Sequence, residues 1–367
     1  MTARLKAIYH VRGEAGSIEA RAQAIAVEQS VEMPVDAIDD AFVLSEIVGR
    51  VESIAEISPG TFEVEVGLSA ETISDDPGQL LNMLFGNTSL HDDVTLHDMV
   101  LPPEVIACFG GPHQGLDGLR ARVGARDRAL TCSALKPQGL PSPDLADLAH
   151  RLALGGLDYI KDDHGLADQA FSPFAQRAAA CAEAVRLASE FTGHQTRYIP
   201  SVSGHLDRMR QQLEFARDVG IDTVMIAPMI AGFSNVWLLA REYPDVAFLA
   251  HPTMGGASRI APTLLISRLF RLVGADGVIF PNSGGRFGYS RETCKAIAAR
   301  ALEPWESLQS SAPIPAGGMT LERVPEMLSF YGADVILLVG GALLSARSEL
   351  VAATKAFTAA VADHNYA

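Results

Sequence analysis

The pattern of apolar and polar positions changes character about a third of the way along the chain. Up to about residue 125 it is mixed. Residues 7–11 predict a strand. Residues 17–29 carry apolar side chains at helical spacing, with Ser17 placed to cap the helix. Residues 60–67 alternate as Thr61, Phe62, Glu63, Val64, Glu65, Val66, which predicts a strand with one wet face. Residues 79–85 predict a second helix. Residues 1–125 therefore read as an α+β domain.

From 126 to 367 short apolar runs alternate with amphipathic stretches. The runs cover 129–135, 157–162, 197–203, 223–228, 246–251, 277–281, 312–316 and 335–339. Helical stretches such as 173–191, 205–219, 234–241 and 291–302 lie between them. Eight strand–helix units in one run predict a (β/α)₈ TIM barrel. An open, doubly wound parallel sheet is the alternative. The count of eight and the polar residues at the run ends favour the barrel.

Active sites of such barrels sit at the C-terminal strand ends. The residues there are Lys136-Pro137-Gln138, Lys161-Asp162-Asp163-His164, Ser203-Gly204-His205, His251, Asn282-Ser283-Gly284-Gly285-Arg286, Gly317-Gly318 and Gly340-Gly341. The glycine pairs after the seventh and eighth strands stand where barrels bind phosphate, and each pair alone also reads as a plain turn. Period-two geometry puts Lys161 and Asp163 on one face. Asp and His are ordinary metal ligands, whereas a protonated lysine has no lone pair to give. An ion pair at a strand end is the competing reading. His91-Asp92-Asp93 and His97-Asp98 look like ligands but fall outside the barrel, and are read as a solvated loop.

Composition narrows the function. The net charge of −15 argues against nucleic acid as a partner, since phosphate backbones need clustered Lys and Arg. Cys108, Cys132, Cys181 and Cys294 lack zinc spacing and read as reduced thiols. No apolar run suits a signal core or a membrane span, so a cytoplasmic protein without membrane contacts is expected.

Several of these segments resemble one family. Gly155-Gly156-Leu157-Asp158-Tyr159-Ile160-Lys161-Asp162-Asp163-His164 is similar to the activation motif of the RuBisCO superfamily, which ends Lys-Asp-Asp-Glu. Leu135-Lys136-Pro137, His251-Pro252-Thr253-Met254, Pro315-Ala316-Gly317-Gly318 and Val339-Gly340-Gly341 resemble its strand-end motifs in order. Glu28-Gln29-Ser30 and Phe85-Gly86-Asn87 resemble its N-terminal segments, and Phe109-Gly110-Gly111-Pro112 the lead into the barrel. The resemblance implies a ferredoxin-like N-terminal domain before the TIM barrel. It implies that CO₂ carbamylates Lys161, and that the carbamate, Asp163 and His164 hold Mg²⁺. Lys136 becomes the proton-transfer base, with His251 a second candidate. Gly317, Gly318, Gly340 and Gly341 become phosphate contacts. Glu28 and Asn87 would serve a neighbouring subunit, giving a homodimer or a larger assembly of dimers.

The departures separate the chain from the carboxylase. His164 replaces the glutamate ligand, Gln138 the second lysine, Pro252 the arginine and Ala316 the serine; the loop after the sixth strand carries no lysine. Imidazole suits softer cations, so Mn²⁺ or Zn²⁺ is expected to be tolerated beside Mg²⁺. Arg286 is a candidate replacement for the lost phosphate arginine, with a solvent-facing salt bridge as the competing reading. A RuBisCO-like protein is implied, acting on a small phosphorylated ketose and not on ribulose bisphosphate. Isomerisation of 5-methylthioribulose 1-phosphate fits best. Decarboxylation or C–C cleavage of a phosphorylated keto acid such as 3-oxo-isoapionate 4-phosphate, a diketo-phosphate enolase activity and a non-catalytic binding role stay open.

Overall fold

The computed structural model describes residues 3–366. The chain forms two compact units. One runs to Gly110 and takes in Met254–Leu265 and Glu306–Leu308; the other holds Gly111–Thr253, Ile266–Trp305 and the chain from Gln309 onward.

The first unit is built on four antiparallel strands: β1 (Arg4–Arg12), β2 (Arg50–Ser58), β3 (Thr61–Ser69) and β4 (Val94–Val100). Their order β2-β3-β1-β4, with helices Ile18–Glu28 and Pro77–Phe85 in the connections, is the ferredoxin-like arrangement expected. Alternation dictates which face is dry. Leu5, Ala7, Tyr9 and Val11 of β1 and Phe62, Val64, Val66 and Leu68 of β3 are buried, as are Ile25 and Leu84 of the helices. The buried Tyr9 hydroxyl donates to Leu84 O at 2.5 Å. Asp76 caps Pro77–Phe85 by accepting from the Gln79 N–H. Ser17 precedes the first helix as expected, but its hydroxyl donates back to Glu14 O and caps nothing. His97 and Asp98, expected in a loop, lie in β4, where His97 stacks on His10 with ring centroids 3.6 Å apart.

The second unit is the barrel. Its strands are β5 (Leu130–Leu135), β6 (Tyr159–Asp162), β7 (Arg197–Ile199), β8 (Thr223–Ile226), β9 (Ala247–Ala250), β10 (Gly277–Pro281), β11 (Ala312–Ala316) and β12 (Ile336–Leu338). They are parallel, in the order β7-β6-β5-β12-β11-β10-β9-β8. A bridge between Ser201 and Met225 closes the β7–β8 seam, with Val202 N–H on Met225 O at 2.8 Å and Met225 N–H on Pro200 O at 2.9 Å. The unit begins at Gly111, ahead of the change in periodicity near residue 125. The reason is helix Gly115–Val123, whose Leu116, Leu119 and Val123 pack into the barrel interior with Tyr159, Met225 and Ile279. The Tyr159 hydroxyl, at the start of β6, donates to Leu119 O at 2.8 Å. Apolar side chains thus fill the N-terminal end of the barrel and leave the other end for polar groups. Among the described residues no helix is long and apolar enough to cross a membrane.

Candidate active site

Strand parity assembles the site. In a barrel every second residue points inward. Leu130 and Cys132, Tyr159, Leu249, Ala312 and Ile314, and Ile336 and Leu338 belong to the apolar interior. Carried two residues at a time towards the C-terminal strand ends, this parity reaches Lys136, Lys161 and Asp163, His251, Gly318 and Gly340. In the β5–β6 register Ala134 lies opposite Lys161 and Leu135 opposite Asp162. One step further sets Lys136 beside Asp163, and Lys136 Nζ lies 2.7 Å from Asp163 Oδ1.

That oxygen is crowded. The His164 backbone N–H donates to it at 3.0 Å, and His164 Nδ1 stands 3.1 Å away. Burial resists the charge on Asp163, but hydrogen bonds from His164 and Lys136, with the Lys136 charge, hold its carboxyl well below the usual carboxylate range. Asp163 is therefore an anion at neutral pH. Asp162 points the other way, between sheet and helix, where Arg177 Nε (3.0 Å), the Tyr198 hydroxyl (2.6 Å) and the Ser201 N–H (3.0 Å) reach its carboxylate.

Lys161 is 4% exposed, and its Nζ donates to Asp162 O at 2.7 Å. Burial pushes its pKa down. This favours the neutral amine, the form that can react with CO₂. Among the described residues no three His, Cys, Asp or Glu side chains form a ready cation site. Asp163 and His164 need a further donor, and a carbamylated Lys161 on the same strand end has the right chemistry. The donor set fits a divalent cation on those terms.

His251 stacks on His164, with ring centroids 4.7 Å apart and planes 8° from parallel. Its Nδ1 accepts the Thr253 N–H at 3.2 Å and touches the Thr253 hydroxyl. Burial pushes its pKa down to about 2, so the ring is neutral. With Nδ1 accepting, the ring proton sits on Nε2. His251 thus offers the site an N–H rather than a lone pair. Thr253 sets this orientation; it lies one further parity step past His251, beyond the end of β9.

One glycine of the two strand-end pairs, Gly340, lies close to Lys136. A methyl carbon on Gly340 would stand 4.0 Å from Lys136 Cε, while Gly317 and Gly341 have open space where a side chain would be. Arg286 is exposed in the loop after β10. The cation that touches a glycine turn is Arg323, whose Nη1 donates to Gly318 O at 2.7 Å. Nothing in the local sequence marks it except its position five residues past Gly318. His205 caps helix Leu206–Asp218 through Nδ1, a structural task. In the N-terminal unit Asn87 Nδ2 donates to Glu28 Oε1 at 2.9 Å and lies 3.3 Å from Glu32 Oε1. The two residues picked from the sequence thus share one exposed spot, and Glu32, four residues past Glu28, joins them. Asp93 is taken up by Arg21 at 2.9 Å and 3.0 Å. A groove of about 570 Å³, lined by Arg197 and Asp222, lies at the N-terminal ends of β7 and β8.

Comparison with known proteins places the fold in a family. The family described as ribulose bisphosphate carboxylase large chain, catalytic domain, matches residues 115–364. A 5-methylthioribulose-1-phosphate isomerase of Rhodospirillum rubrum is 62% identical over 363 residues, covering 99% of this chain and 97% of the relative. A 2,3-diketo-5-methylthiopentyl-1-phosphate enolase of Geobacillus kaustophilus is 32% identical, over 81% of this chain and 74% of the relative. The crystal structure of a Rubisco-like protein from Rhodopseudomonas palustris superposes with a TM-score of 0.94 at 51% identity, covering 100% of this chain and 99% of that one. With its barrel, its strand-end lysines and these relatives, the chain belongs to the RuBisCO large-chain family as a RuBisCO-like protein.

Proposed function

We propose that the chain is a metal-dependent isomerase that enolises a phosphorylated ketose, with 5-methylthioribulose 1-phosphate as substrate. One observation carries the reading: Lys136 and Asp163 meet at 2.7 Å on adjoining strand ends, on the parity that also brings in buried Lys161. The name of the relative at 62% identity supports the choice of substrate.

Lys161 as a carbamate, Asp163 and His164 would hold Mg²⁺, with Mn²⁺ or Zn²⁺ as tolerated substitutes. Such a cation, when bound, stabilises negative charge developing on the substrate's carbonyl oxygen. Lys136, once parted from Asp163 and deprotonated, takes the proton from the carbon next to the carbonyl. His251 holds a substrate oxygen with its Nε2–H. The backbone N–H groups around Gly317, Gly318, Gly340 and Gly341 take the phosphate, and Gly340 beside Lys136 keeps that end of the substrate close to the base. Arg286 supplies a cation from its exposed loop. Glu28 and Asn87 complete the site of a second copy, so the working unit is a homodimer or an assembly of dimers.

The test is incubation with 5-methylthioribulose 1-phosphate in D₂O, with bicarbonate and Mg²⁺. Solvent deuterium and an isomeric ketose are expected, with no CO₂. Release of CO₂ from a phosphorylated keto acid would replace this reading with decarboxylation, and an enol from the diketone phosphate would replace it with the enolase reaction. No exchange with any of them would leave only a binding role. Mn²⁺ should support turnover within about tenfold of Mg²⁺, because His164 offers imidazole where the family motif has a carboxylate; a strong preference for Mg²⁺ would sink that assignment. Mixed subunits carrying Glu28→Gln and Lys136→Ala separately should regain activity in hybrid assemblies. Inactive hybrids would show that each chain builds its own site.

A further inference from the structure

The loops after β10 and β11 are in direct backbone contact. A methyl carbon on Gly318 would lie 2.8 Å from Gly285 Cα, 2.9 Å from Gly284 O and 3.0 Å from Gly285 N. Such distances are below van der Waals contact, so glycine is required there. Gly318 also has φ +65, which other residues adopt only with strain. The turn above it is fixed in its own right. Gly285 N–H donates to Asn282 O at 3.2 Å, Asn282 N–H to Ala316 O at 2.8 Å, and the Tyr331 hydroxyl to Asn282 Oδ1 at 2.7 Å.

Arg323 reaches the junction of the two turns. Its Nη1 donates to Gly318 O at 2.7 Å, and Nη1 and Nη2 lie 3.4 Å and 3.6 Å from where a Gly284 Cβ would sit. Glu326 aims the guanidinium, at 3.3 Å from Nε, and is itself held by Arg291 at 2.7 Å. A carbonyl fixed by a guanidinium fixes its whole peptide plane. In a trans peptide the next N–H points opposite to that carbonyl. The Met319 N–H therefore turns away from Arg323.

We propose that Arg323 is a positioning residue for phosphoryl binding: by holding Gly318 O it locks the β10 and β11 glycine turns into one cradle with its N–H groups turned to the ligand. This rests on the reading of the strand-end glycines as the phosphate site. Arg323 acts through Gly318 and not on the reacting carbon. Its loss moves KM and phosphate affinity and leaves the proton-transfer step in place.

The experiment is titration of the purified protein with inorganic phosphate, followed by calorimetry or ³¹P line width. Arg323→Met is expected to weaken phosphate binding by about tenfold, the usual scale for losing a charge-assisted hydrogen bond. KM should rise by a similar factor while kcat stays within about twofold. Arg323→Lys keeps one donor for Gly318 O and should recover most of the loss. Should the methionine variant fail to fold, Arg323→Gln carries the same comparison. Unchanged phosphate affinity in the variants, or a fall in kcat with that affinity intact, overturns the role of Arg323 alone. Wild-type protein that binds no phosphate overturns the glycine reading and the inference with it.

Discussion

Lys136→Ala is expected to lower turnover on the order of 10²- to 10⁴-fold, the range for removal of a positioned acid–base group. The side chain is 35% exposed and bonds to Asp163 at 2.7 Å, so its loss opens no cavity in the core. Two readouts separate a base from a merely structural cation. Deuterium exchange at the substrate carbon should fall with turnover, while phosphate affinity stays. A small primary amine added to the alanine variant should restore part of the rate, because it supplies the missing lone pair. Lys136→Arg should not restore it, since a guanidinium stays protonated. Unchanged turnover in Lys136→Ala would end the assignment, and the proton would have to leave by another group. His251 is poorly placed for that task as long as Thr253 occupies its Nδ1.

Much of this site is legible in the amino-acid sequence, because barrel strands obey a two-residue period. The runs at 277–281 and 312–316 match β10 and β11, and Lys161 and Asp163 fall on the inward face with Tyr159. The strands that escape such a reading are β2 and β4. Val51, Ile54, Ala55 and Ile57 of β2 do not alternate, its register slips twice against β3, and most of its residues are exposed. β4 shifts register between Ile8 and Tyr9 of its partner, and its His97-Asp98 pair looks like loop. An edge strand that buries little leaves a weak apolar signature. Pairings between strands are likewise hidden. Lys136 meets Asp163 only because Ala134 lies opposite Lys161 in register, a fact that neither strand carries alone. The Nδ1 bond of His251 and the reach of Arg323 to Gly318 depend on side-chain direction in loops, where no period applies.

Arg177→Ala is expected to cost about 3–5 kcal/mol of stability, the usual scale for stranding one member of a buried ion pair. Arg177 and Asp162 are both 0% exposed. Burial pushes the Asp162 carboxyl up, and the Arg177 charge with hydrogen bonds from Tyr198, Ser201 and Arg177 opposes that shift. Arg177 also donates to Ser172 O at 2.6 Å and Ala167 O at 2.7 Å. It therefore ties the end of β6 to the loop that follows it. Lys161 and Asp163 flank Asp162, so loss of the tie should loosen the candidate metal ligands as well as the fold. Urea unfolding should show the lower midpoint, and metal titration of the variant at low temperature should show weaker binding. Removing both charges with Arg177→Met and Asp162→Asn should recover part of the stability, because no unpaired charge is left inside. It should recover less of the metal affinity, because the carbonyls of Ala167 and Ser172 stay without their donor. A single variant within about 1 kcal/mol of wild type would mean that water or another cation satisfies Asp162, and that β6 holds its inward groups by strand pairing alone.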